Sequence, residues 1–229
     1  MTVVATEVGI DADPIRARVS RALDELARGH AIVLADDLAG GLGVLVFAAE
    51  KTVTGAMTFV VEHSSGLVCV ALPTARCAQL RLPPMCPPED RSAPDYCVTF
   101  DAAEGTTTGI SARDRARGAR LLADPTTTPE DRVRPGHLIP LRAADGRVLE
   151  RVGRAEAAVR LTELAGLAPA AVLAEVVSPA DPTRLCEGTE TAAFAAAHGL
   201  VCVSLTDVVE YELAALDEPV PTARMRGPS

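Results

Sequence analysis

The chain has 229 residues, 48% of them hydrophobic and only 3% aromatic, with a formal charge of −9. That length supports a sizeable core in one domain, and that charge speaks against a nucleic-acid surface, which needs a concentrated basic patch to neutralise phosphates. No apolar run reaches the roughly 18 residues of a membrane helix, and no basic segment followed by an apolar one opens the chain, so the expected location is the cytoplasm, away from membranes.

Six cysteines, Cys69, Cys77, Cys86, Cys97, Cys186 and Cys202, form no Cys-x-x-Cys pair, which argues against a zinc site and, in a reducing compartment, against disulfides. Lys51 is the only lysine, a compositional bias that weakens any argument from arginine count alone.

Residues 1–12 read as a loose arm, 13–213 as a single domain and 214–229 as a disordered tail. Asp13 and Pro14 start a helix whose apolar positions Ile15, Val19, Ala22, Leu23 and Leu26 recur at helical spacing, and Gly29 closes it. AIVLADD reads as a buried strand ending in Asp36 and Asp37, with GVLVFAAE as its partner. The LAGGLG connector between them is no dinucleotide fingerprint, since GxGxxG is incomplete and a strand follows. TVTGAMTFVVEHSSG reads as a helix ending near His63, and LVCVAL as a core strand carrying Cys69.

The Pro-, Cys- and acid-rich stretch Leu82–Pro94 is a loop and a candidate lid. CVTFDAAEG is a strand and turn. A helix then opens at Ser111, where Asp114 completes a Ser-x-x-Asp capping box. LIPLRA is a strand, ADGR a tight turn, VLERVG a returning strand and RAEAAVRLTELAGL a helix. AAVLAEVV sets Glu175 among apolar neighbours, where an acid needs a partner. A helix, a strand and a short helix follow.

The densest polar segment runs from Arg134 to Glu156. Pro135 and Gly136 break the chain just before His137, so its imidazole emerges where side chains reach ligands; a plain structural histidine is the competing reading. Arg151, Gly153 and Arg154 stand at a helix entrance, either as an anion site or as a solvated pair of arginines.

AIVLADD, HSSGLVCVAL, LRLPPM, TTTGISARDRA, PEDRVRPGHLIPLRA and AGLAPAAVLAE, in this order between about Ile15 and Tyr211, resemble the 3,4-dihydroxy-2-butanone 4-phosphate synthase family. The resemblance implies an α/β sandwich with a mixed sheet covered by helices, and a homodimer with sites near the subunit interface. It also implies a lyase that takes ribulose 5-phosphate through an enediol, loss of water, a skeletal shift and release of formate, with a divalent metal. The family's connector, typically DDEDRENEGD, supplies a metal-binding glutamate, a substrate-binding arginine and a further aspartate. Here Asp36 and Asp37 remain, LAGGLGV follows, and Val44 stands at the last aspartate. The family's His-Thr-Glu-Ala motif reads RAEA, with Arg154 in place of the metal-binding histidine and Ala155 in place of the threonine.

His137, Glu175 and Arg151 match family positions for catalysis or substrate binding. Thr108 falls in the loop at the phosphate end of the substrate, and Cys69 near the active site. The expectation is therefore a repurposed enzyme of lyase, isomerase or cyclase type, without a cofactor, acting on a small enolisable or anionic substrate. His137 would be its acid or base, Glu175 the partner of His137 or a second acid or base, and Arg151 with Arg154 a clamp for an oxyanion or carboxylate. Asp36, Asp37, Thr108 and Cys69 would complete substrate binding. Two alternatives stand beside it: a genuine synthase with an altered site, needing Mg²⁺ if the family's reaction is kept, and a non-catalytic partner subunit.

Overall fold

The computed structural model describes residues 14–38, 40–87, 95–144 and 148–217. The expected arm, most of the ADGR turn, the last part of the candidate lid and the tail beyond 217 lie outside these residues.

Helix α1 (Pro14–Arg28) buries Val19, Ala22 and Leu26 on one stripe. It stops at Gly29, whose φ of +83° lets Gly29 N donate to Leu26 O and His30 N to Glu25 O, the reversal that ends many helices. Strand β1 (Ile32–Asp36) then pairs antiparallel with β2 (Leu42–Ala48), with Asp36 opposite Leu42. Helix α2 (Thr54–His63), β3 (Cys69–Pro73), α3 (Thr74–Gln79), β4 (Phe100–Ala102), α4 (Ala112–Ala123) and β5 (Arg132–Ala143) follow. The chain continues as α5 (Arg154–Leu164), β6 (Ala171–Glu175), α6 (Thr189–Ala197), β7 (Val201–Ser204) and α7 (Leu205–Asp217).

The seven strands form one sheet in the order β4-β5-β3-β6-β2-β1-β7, parallel at β3/β5 and β1/β7 and antiparallel elsewhere. Strand alternation divides the core in two. Ile32, Leu34, Val46 and Leu173 pack with residues of α1, α5 and α7 on one face. Val33, Leu45, Phe47 and Val172 pack with residues of α2, α4 and α6 on the other. This is the mixed-sheet α/β sandwich expected. Among the described residues, no helix is long and apolar enough to cross a membrane.

Several expectations need correction. VLERVG does not return as a strand: 148–150 form a turn, because β5 already has β3 on one side and β4 on the other and no edge remains for it. Only Phe100–Ala102 of CVTFDAAEG joins the sheet as a strand. Helix α3, six residues long, shows too little of a helical period to be recognised beforehand. Residues 214–217, expected in the tail, belong to α7, which at 13 residues is longer than expected.

The closest backbone approach falls at Gly136, where a Cβ would lie 2.0 Å from the carbonyl carbon of Phe100 and 2.3 Å from Asp101 N. Backbone cannot yield as a side chain does. Gly136→Ala is expected to cost about 3 kcal/mol of stability, read as a lower denaturation midpoint; an unchanged midpoint would contradict this packing.

Candidate functional site

A cavity of about 410 Å³ opens at the ends of β1 and β6 against the N-terminus of α5. Period-two alternation puts Asp36 on the same sheet face as Leu34, and Glu175 on the same face as Leu173, so both carboxylates point toward α5. Arg154, the first residue of α5, meets them there. Its Nε lies 3.5 Å from Asp36 Oδ2 and its Nη1 lies 3.3 Å from Glu175 Oε1. One guanidinium thus joins two acids, all three groups being largely withdrawn from solvent.

A third acid lies beside them. Glu156 is buried, its Oε1 accepts from Ala144 N at 3.0 Å, and Arg151 Nε stands 3.5 Å from the same oxygen. Gly153 leaves room for this: a Cβ there would meet Glu156 Oε2 at 2.4 Å. Arg142, also on the cavity wall, is held by Asp95 through Nη2 at 2.9 Å and Nε at 3.2 Å.

Cys69 and Tyr96 complete the polar wall. Burial first, and then the Glu175 carboxylate, push the Cys69 thiol up to about 12, against an opposing pull from Arg154. Burial, then Cys69 and Glu175, also raise the Tyr96 phenol. Near neutral pH both are uncharged, so Cys69 is a cavity wall and not a nucleophile.

The cavity therefore gathers five of the residues singled out from sequence, Asp36, Cys69, Arg151, Arg154 and Glu175, and leaves out three. His137 does not line it. Its carboxylate partner is Asp101, not the expected Glu175: Asp101 Oδ2 lies 2.8 Å from His137 Nδ1, and Asp101 Oδ1 accepts from His137 N at 2.9 Å. The cause is a register shift between Phe100 and Asp101, which pairs Phe100 with Leu138 but Asp101 with Val133 and frees the Asp101 carboxylate to reach His137.

Thr108 lies beside this second pair. Its loop is fixed by Asp114 Oδ2, which accepts from Thr107 N and Oγ1, Thr108 N and Gly109 N at 2.9–3.2 Å. Burial alone would raise the Asp114 carboxyl, but hydrogen bonds from Thr107, Ser111 and Gly109 bring it down to about 2. A Cβ at Gly109, where φ is +78°, would fall 2.2 Å from Asp101 Oδ2 and 2.4 Å from His137 Nδ1. The loop backbone at Gly109 thus packs against one side of the His137–Asp101 pair. Asp37 belongs to neither cluster: its Oδ1 accepts from Thr206 N at 3.1 Å at the start of α7. Burial would raise its carboxyl, and bonds from Thr206 and Ser204 lower it overall.

Sequence reasoning missed Tyr96, Arg142, Glu156 and Asp101. Glu156 stood in the RAEA motif without a role, whereas the other three reach their places through long-range pairing that leaves no local signature.

The family profile described as 3,4-dihydroxy-2-butanone 4-phosphate synthase matches residues 20–211. The riboflavin biosynthesis protein RibBA of Nocardia farcinica is 42% identical over 213 residues, 92% of this chain and 51% of that protein. RibBA of Mycobacterium tuberculosis is 45% identical over 195 residues, 84% of this chain and 46% of that protein. The chain thus spans about half the length of these curated relatives. Among solved structures, 3,4-dihydroxy-2-butanone 4-phosphate synthase of Candida albicans superposes with a TM-score of 0.79 at 41% identity, covering 85% of this chain and 96% of that one. Another synthase structure, in complex with two magnesium ions, gives 0.81 at 35% identity, covering 92% and 100%.

The donor set of this cavity does not fit a divalent cation. Asp36 and Glu175 both face a permanent cation, Glu156 is bound to Ala144 and Arg151, and no group of three His, Cys, Asp or Glu side chains suited to a metal occurs among the described residues.

The raised Cys69 thiol has a direct chemical consequence. Iodoacetamide at about pH 8 is expected to alkylate exposed Cys86 and spare Cys69 in the folded protein, as read by peptide mass spectrometry; rapid Cys69 labelling would contradict the environment described.

Proposed function

Because the chain belongs to the 3,4-dihydroxy-2-butanone 4-phosphate synthase family, we propose that it carries out the family's lyase reaction on ribulose 5-phosphate, with Arg154 supplying the positive charge in the cavity. Kinship across most of the chain supports the substrate. The single observation that carries the metal-free form is the Arg154 guanidinium seated between Asp36 and Glu175.

The reaction converts a five-carbon ketose phosphate into a four-carbon ketone phosphate and formate, the water lost in one step being returned in the step that releases formate. Its opening requires removal of a proton next to the ketone, so that negative charge grows on oxygen. Arg154 meets that charge. Its contacts to Asp36 and Glu175, at 3.5 and 3.3 Å, are long for ion pairs, so its N–H groups can turn to a substrate oxygen without moving the helix. Glu175, alongside, takes and returns the proton, and the neutral Tyr96 phenol offers a further donor. Arg151, half exposed at the cavity mouth, receives the anionic end of the substrate.

The His137–Asp101 pair fits a homodimer with sites near the subunit interface. It stands outside its own cavity with the imidazole 41% exposed, and would serve as an acid or base toward the partner's substrate. Asp101 fixes the ring through its contacts with His137 Nδ1 and His137 N.

A second reading rests on the same guanidinium. A cation in this place also suits a repurposed enzyme acting on a different enolisable anion, through the same Arg154 and Glu175 chemistry.

Formate release from ribulose 5-phosphate, followed with added Mg²⁺ and with EDTA, separates these readings. Equal formate release in both conditions is expected, with a fall of about 100-fold or more in Glu175→Gln and loss in Arg154→Gln. Formate abolished by EDTA would overturn the metal-free reaction. No formate in either condition would overturn the synthase reading and leave the repurposed enzyme.

A further inference from the structure

A second cavity, of about 430 Å³, lies across Arg142 from the first and is lined by Arg81, Arg134 and an apolar wall that includes Cys77, Leu82, Pro83 and Pro84. Two guanidinium groups converge on one backbone carbonyl at its edge: Arg132 Nη2 donates to Arg81 O at 2.8 Å and Arg134 Nη1 to the same oxygen at 3.0 Å. Arg132 is buried and anchored further by its Nε, which donates to Leu80 O at 2.7 Å. Arg81 itself adopts φ of +48°, a left-handed conformation that a long side chain seldom takes and that persists only where its surroundings impose it.

This arrangement sets like charges side by side. Burial first, and then Arg134 and Arg81, lower the Arg132 guanidinium, with Glu130 opposing. None of the three arginines forms an ion pair with a carboxylate among the described residues. Arg142, which also touches this cavity, is by contrast neutralised by Asp95. In a chain of formal charge −9, a cluster of cations without a carboxylate partner among the described residues, set beside a cavity, is an electrostatic arrangement that an anion would complete.

We propose that this cavity binds a small phosphate ester, its phosphate held by Arg81 and Arg134 and its apolar part laid against Leu82, Pro83 and Pro84. Arg132 is a positioning residue that holds the Arg81 carbonyl from the buried side. A phosphate suits the site because its several acceptor oxygens can engage separate guanidinium groups at once, which a single carboxylate does less completely. The ester's organic part supplies what the proline wall would bury, so affinity above that of the free ion is expected. This inference does not rest on the catalytic reading, since none of these three arginines lines the first cavity.

Isothermal titration of the full chain with inorganic phosphate and with phenyl phosphate tests it. Phenyl phosphate is expected to bind at least tenfold more tightly than inorganic phosphate. Arg81→Gln and Arg134→Gln are each expected to weaken it tenfold or more, and Arg151→Gln, at the anion-receiving mouth of the first cavity, to leave it unchanged. Both Arg81 and Arg134 are exposed, so neither substitution removes core packing, and an unchanged circular dichroism spectrum is the check that each variant folds. Binding lost in Arg151→Gln but kept in the other two would place the phosphate in the first cavity and overturn the proposal. Absence of phenyl phosphate binding to the unaltered protein, or equal affinity for phenyl phosphate and free phosphate, would overturn it as well.

Discussion

The organisation of the cavity follows from one cation meeting two acids. Asp36 and Glu175 end strands on either side of β2 and turn to the same sheet face, so their charges approach in a partly desolvated space. Two like charges on one wall call for a counter-charge between them. Arg154 supplies that charge from the first turn of α5, and the helix is placed by its own apolar contacts with the sheet, through residues such as Ala158 and Leu161. The site and the fold are thus coupled: the α5 face that fills the core also sets the guanidinium to within hydrogen-bonding reach of Glu175.

Electrostatic economy runs through the rest of the structure. Arg142 and Asp95 brace β5 at the cavity rim, Arg160 and Glu212 tie α5 to α7, and Arg18 and Asp207 tie α1 to α7. Asp114 does the same for backbone, holding the loop of Thr107, Thr108 and Gly109 against the His137–Asp101 pair. Around Arg81, Arg132 and Arg134, which have no such partner among the described residues, the proposed partner is an external anion.

Much of this was legible in the sequence, for identifiable reasons. The stripe of α1, the alternation of β1 and the capping box at Ser111 are local patterns, and local patterns fix elements. The position of Arg154 at a helix entrance and the isolation of Glu175 among apolar residues both pointed to the cavity. Pairing was not legible. Arg154 meets Asp36 across 118 positions of the chain, and His137 finds Asp101 only because a register shift moves the carboxylate off its regular place. Alternation also cannot say whether a strand-like run such as VLERVG will find a free sheet edge, and here it does not.

The most direct measurement is Mn²⁺ binding to the purified protein, followed by the loss of the free-ion signal in electron paramagnetic resonance. With Arg154 seated between the two carboxylates, no stoichiometric Mn²⁺ site is predicted. One or two Mn²⁺ ions bound per chain and displaced by Mg²⁺ would show that the acids hold a metal after all, and would contradict the role given to the guanidinium.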